Sequence, residues 1–198
     1  MNLYQELDIL IDATIRGLQS NFLSTIYFQP NPDMLVYDEA LLHKQKDWLR
    51  TRGIRCGQMD GLQSILTVAE GGITQLENGE WVVLINNRVP DTEVSLVLMH
   101  EMAHVQCNDH LKPTSGSLIY MAKIEIIAES ICYLAMRAVG QSPLVASSHY
   151  IGEYWDTNYD SSEGLRPFFQ LHRKTIIEGA REIVESIEIV GSIRVPAS

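Results

Sequence analysis

The stretch LVLMHEMAHVQCNDH (residues 96–110) sets His100 and His104 four residues apart, with Glu101 directly after the first. On an α-helix four residues correspond to a rise of about 6 Å and a rotation of about 40°, so both imidazoles can converge on one ion. Glu101 falls one step round the helix, beside that ion without ligating it, where a carboxylate can take a proton from water. Zinc is the expected ion, because it accepts histidine nitrogens and lowers the pKa of bound water to about 7. The residues around the motif, SLVLM before it and AHV through it, are apolar. A single histidine in such a helix is usually structural, whereas two histidines and a glutamate there need partners, and a metal supplies them.

Two histidines leave a tetrahedral site short of a protein ligand. Downstream, KIEIIAES places Glu125 and Glu129 four apart inside an apolar stretch, aimed to one side of a helix. One can complete the site while the other orients a histidine through its second ring nitrogen. The rival is His110, ten residues after His100 and reached through a sharp turn. Such a turn normally needs glycine; here Cys107 stands at that position, with Asn108, which tolerates a left-handed backbone, next to it. Glu125 is the favoured third ligand, with His110 and Glu129 as alternatives. A tetrahedral oxyanion needs a further donor, for which His149, Tyr150, Tyr154 and His172 are in reach of the sequence. Cys107 reads as a small buried residue with no assigned role.

The elements that must position these groups are legible as periodicities. Leu3, Leu7, Ile11, Ile15 and Leu18 repeat at helical spacing over residues 2 to 22, before QPNPD (29–33) stops the pattern. A second helix is expected over 38–52, on Leu41, Leu42, Trp48 and Leu49. Residues 53–90 turn β-rich, in SILTVAE, GGITQLENG and EWVVLINNRVP, and read as a small, largely antiparallel sheet with Trp81–Ile85 as its last strand. Asp91 or Thr92 can cap the helix that carries the histidines. A long helix is expected over 117–139, stopped by GQSP, then two more over 146–157 and 165–188, the last preceded by SSEG (161–164) as a helix start. No repeat, low-complexity tract or linker interrupts the 198 residues, which suits one α+β domain.

A net charge of −10 with no basic run longer than HRK (172–174) argues against direct nucleic-acid binding. Three cysteines at unrelated spacings form neither a disulfide framework nor a cysteine zinc cluster. The acidic N-terminal segment does not read as a signal peptide, and no apolar run reaches membrane-spanning length, so a cytoplasmic protein without membrane attachment is expected.

The segment HEMAH followed some twenty residues later by EIIAES resembles the gluzincin arrangement, and GEWVVLINNRVPDTEVSLVLMHEMAH resembles the strand, turn and active helix of ImmA/IrrE-type metallopeptidases and the peptidase domain of ArdC-like antirestriction proteins. AESICYLAMRAVG and YIGEYW are similar to segments downstream of that motif, so the likeness covers about residues 70–157. It implies a zincin fold, zinc on His100, His104 and Glu125, Glu101 as base, and Trp81–Ile85 as an edge strand that aligns an extended peptide. Tyr150, the first residue of YIGEYW, is the oxyanion donor singled out on this likeness. The chain departs from the resemblance at Ile127, where many members carry Glu, so Glu125 and Glu129 stay in competition; it also shows no helix-turn-helix module in the first 95 residues. The expected function is zinc-dependent hydrolysis of peptide bonds in a protein substrate, which the resemblance implies to be a regulator. The alternative is a zincin-fold regulatory or inhibitory binding module without catalysis, against which the retained Glu101 speaks.

Overall fold

The structure is a computed structural model that describes residues 1–19, 35–59, 70–112, 117–159 and 161–192. Six helices and three strands follow in the order α1 (Leu3–Gln19), α2 (Glu39–Thr51), β1 (Ile54–Met59), β2 (Gly71–Gln75), β3 (Trp81–Asn86), α3 (Asp91–Gln106), α4 (Leu118–Ala138), α5 (Leu144–Asn158) and α6 (Leu165–Ser192). The class is α+β, mostly helical with one small sheet. The expected stop at QPNPD, most of SILTVAE and the PTSG that follows Lys112 lie outside the described residues.

The helices form where periodicity and caps agree. Asp38 accepts from the Leu41 amide at 2.9 Å to start α2, Ser117 accepts from the Tyr120 amide to start α4, and Gly140 at φ +88° ends α4. The expectation of a side-chain cap on α3 fails. Pro90 occupies the cap position with no side-chain hydrogen bond, and Asp91 and Glu93 stand in the first turn, where their charge complements the helix dipole. SSEG forms a short 3-10 turn in which Ser161 accepts from the Glu163 amide, leading directly into α6.

The sheet is mixed rather than largely antiparallel, in the order β1-β3-β2. β2 and β3 make the expected hairpin, Gly71 opposite Ile85 and Gln75 opposite Trp81, closed by a turn with Gly79 at φ +85°. β1 joins the other side of β3 in parallel, Ile54 opposite Trp81. Trp81–Ile85 is therefore the central strand and not the edge. The hairpin is a local signal, but the pairing of β1 with β3 joins strands far apart in the chain. A continuous apolar run such as WVVLI also suits a strand that is covered on both faces.

One core runs through the molecule, with α4 at its centre against α3, α5 and α6. Gly179 of α6 faces Ile131 of α4 so closely that a Cβ there would come within 2.9 Å of the isoleucine side chain. α3 is anchored from behind by a buried pair: the Gln45 amide donates to the Ser95 carbonyl at 2.8 Å, and the Ser95 hydroxyl donates back at 2.6 Å. α1 is tied to α4 through Glu6, which accepts from Arg137 and from the Tyr133 hydroxyl. Among the described residues no helix is long and apolar enough to cross a membrane.

Candidate metal centre

α3 and α4 lie side by side beneath a cleft of about 1130 Å³, and β2 and α5 supply its other walls. On α3, Glu93, Leu96, Val97, His100, Glu101 and His104 all face it, a stripe that follows the helical repeat. The Nε2 atoms of His100 and His104 approach to 3.0 Å, as the four-residue spacing requires. Oε2 of Glu125 lies 3.3 Å from the first and 3.5 Å from the second. These atoms all fall within 4.8 Å of one another, so His100, His104 and Glu125 make a candidate metal-binding triad.

The remaining expected residues separate by position. Glu129 does not join the converging atoms; one helical turn beyond Glu125, it meets the opposite ring nitrogen of His100, Nδ1, at 2.7 Å, and it accepts from the Ser147 hydroxyl. His110 is not among them either. Its ring packs edge-on against Trp81 at 5.1 Å. The sharp turn after α3 does exist, with Asn108 in the left-handed region at φ +55°, but it delivers Asp109 instead: Oδ2 of Asp109 lies 3.2 Å from Nδ1 of His104. Lys112 fixes that carboxylate at 2.6 Å and also donates to the Cys107 carbonyl. Sequence reading passed over Asp109; its signal was an acid directly after a residue that tolerates a left-handed turn, five residues beyond a ligating histidine. Cys107 is half-buried, and burial pushes its thiol up to about 11, so it is inert as a nucleophile at neutral pH.

Tyr150 reaches the cleft, but its hydroxyl donates to Oε2 of Glu125 at 2.9 Å and its ring packs edge-on to His100. Tyr154 stacks obliquely on Tyr150, and His149 pairs with Glu153 at 3.2 Å on the same face of α5. His172 lies away from the cleft, packed against Phe168.

The carboxylates around the two imidazoles favour positive charge at the site. Burial disfavours a charged His100, yet the carboxylates of Glu125 and Glu129 outweigh it and hold its pKa well above the ordinary value. Burial likewise opposes a charged His104, but Asp109 and Glu125 bring it up to about 9. Burial would raise Glu125, and the two imidazoles instead hold it far below the usual carboxylate range. Glu101 goes the other way: desolvation raises its pKa against the pull of both histidines. It is 6% exposed and has no hydrogen-bond partner among the described residues. Comparisons with family models, with curated proteins and with solved structures each find no match.

Proposed function

We propose that the protein is a zinc-dependent metallopeptidase of the zincin kind, related to the ImmA/IrrE-type enzymes its active helix resembles, and that it works in the cytoplasm on a protein or peptide substrate. The observation that carries this reading is the convergence of two imidazole nitrogens and one carboxylate oxygen beneath a cleft, beside a buried glutamate whose side chain has no hydrogen-bond partner among the described residues. The donor set suits zinc. Bonds of about 2.0–2.2 Å in a tetrahedron put neighbouring ligand atoms about 3.3 Å apart. The three separations here, 3.0, 3.3 and 3.5 Å, bracket that value. Three protein ligands also leave a fourth position, the mark of catalytic rather than structural zinc sites. The three thiols, all free, accord with a reducing compartment.

His100 and His104 would hold the ion through Nε2 and Glu125 through Oε2. Zinc bound there supplies Lewis-acid polarisation and brings the pKa of water near neutrality. The chain's own groups do the rest. Glu129 and Asp109 each accept the Nδ1 proton of one histidine, which fixes the tautomer and turns Nε2 toward the ion. Tyr150 holds the Glu125 oxygen in place. Glu101, its carboxyl raised by desolvation, takes the proton of the attacking water and passes it to the departing amine nitrogen. An extended substrate lies along β2, an outer strand of the described sheet that lines the cleft, and uses the main-chain groups that no described strand pairs.

The test compares wild-type protein with Glu101→Gln, both saturated with zinc, on a pool of synthetic peptides read by mass spectrometry. Cleavage by wild type and its loss in a variant of equal zinc content is expected. No cleavage by zinc-saturated wild type, or undiminished cleavage by the variant, overturns the reading.

A further inference from the structure

The cleft has one end whose chemistry the reaction does not use. Glu70 immediately precedes β2 and Glu93 lies in the first turn of α3, two helical turns or about 10 Å before His100. Both line the cleft. Neither side chain has a hydrogen-bond or ion-pair partner among the described residues, and Lys112, the cation among the cleft residues, is bound to Asp109.

The backbone between these carboxylates and the reacting groups is drawn tight. A Cβ on Gly71 would fall 2.5 Å from a Val97 methyl and 3.5 Å from Oε1 of Glu101, so the start of β2 can approach α3 only as glycine. Glu70 is thereby placed one residue from the point where the strand meets the base. The Glu101 side chain is more than nine-tenths buried, has no hydrogen-bond partner among the described residues and lines the same cleft. A neutral ligand would leave the side chains of Glu70 and Glu93 without a counter-charge among the described residues. Desolvation in the cleft and then the charge of Glu129 raise the Glu70 carboxyl, and desolvation and then the charge of Glu70 raise that of Glu93.

We propose that Glu70 and Glu93 form a subsite for an organic cation of the substrate, an ammonium or guanidinium group held next to the scissile bond. The inference rests on the peptidase reading and names its substrate class: peptides with a positive charge beside the cleaved bond. The charge can come from a lysine or arginine side chain or from a free amino terminus, since both present the same donors to a carboxylate pair. A β2 that aligns the backbone fixes the register, and the two carboxylates then choose which residue sits at that register.

The experiment uses zinc-loaded protein carrying Glu101→Gln, immobilised, and three pools of heptapeptides with randomised flanks. The first has a central lysine and an acetylated amino terminus, the second a central acetyl-lysine and an acetylated terminus, the third a central acetyl-lysine and a free terminus. Mass spectrometry reads what is retained. Retention of the first or third pool at least fivefold above the second is expected, and which of the two is enriched identifies the source of the charge. Adding Glu70→Gln and Glu93→Gln should bring the enrichment close to unity without changing zinc content. Equal retention of all three pools, retention of none, or an enrichment that survives both substitutions overturns the proposal. Wild-type cleavage of the same pools separates this from the underlying reading: cleavage without preference removes the cation subsite alone, and absence of any cleavage removes the peptidase.

Discussion

α3 and α6 bury their residues in opposite ways. α6 is an amphipathic helix, with Ile176, Ile177, Ala180, Ile183 and Ile187 buried along one stripe and charged residues left to solvent. α3 is covered nearly all round: Leu98, Met99, Met102 and Ala103 are wholly buried on one side, while Glu101 and His104 are buried on the other. A polar residue opposite an apolar stripe is solvated and asks for nothing. A polar residue on a helix without a solvent face must find a partner, and the partners of His100 and His104 are Glu125, Glu129 and Asp109. The scaffold is built by pattern and the site by pairing.

Breaking one helix should therefore spare the other's property. The largest effect is expected for Glu101→Gln, which should lower peptide hydrolysis by about 10²–10⁴-fold with zinc content and melting temperature unchanged. Ile183→Ala in α6 should do the reverse, costing about 2–5 kcal/mol in denaturant unfolding while the folded fraction keeps its zinc. Loss of zinc from folded Ile183→Ala would show that the two helices are not separable in this way.

Between these extremes lies the pairing shell. Asp109→Ala should weaken zinc affinity by about 10–100-fold, measured by chelator competition, because His104 loses the acceptor that orients its ring. The smallest effect concerns scaffold alone. Arg137 is the main cause that holds the Glu6 carboxyl below its ordinary value, so the tie between α1 and α4 stabilises the fold above the ordinary carboxylate pKa and is lost as pH falls through the lowered one. Glu6→Gln should cost at most about 1 kcal/mol at neutral pH, and its difference from wild type should vanish at a pH well under 4.

What could be read in advance divides along the same line. Helices such as α1 and α6 were visible because each carries a one-sided stripe, and His100, Glu101 and His104 because their spacing is itself local chemistry. Glu125 could be named, and its competition with Glu129 could not be resolved, since both sit on one face of α4 and only the packed position of α3 puts one at Nε2 and the other at Nδ1 of His100. The left-handed turn at Asn108 was legible, but which following residue it would return to the site was not: the choice of Asp109 over His110 depends on Lys112 and Trp81, which no local pattern links. The place of β3 inside the sheet was hidden for the same reason, because the parallel pairing with β1 joins residues 27 positions apart, as in Ile54 with Trp81. Local repeats specify elements; pairing across elements specifies the site.

The most direct measurement is the zinc content of purified protein after zinc saturation and removal of free ion, by elemental mass spectrometry. About one ion per chain is predicted for wild type, falling close to zero when His100, His104 and Glu125 are replaced together by alanine in a protein that still folds. A wild-type ratio near zero, or an undiminished ratio in the triple variant, would contradict the account.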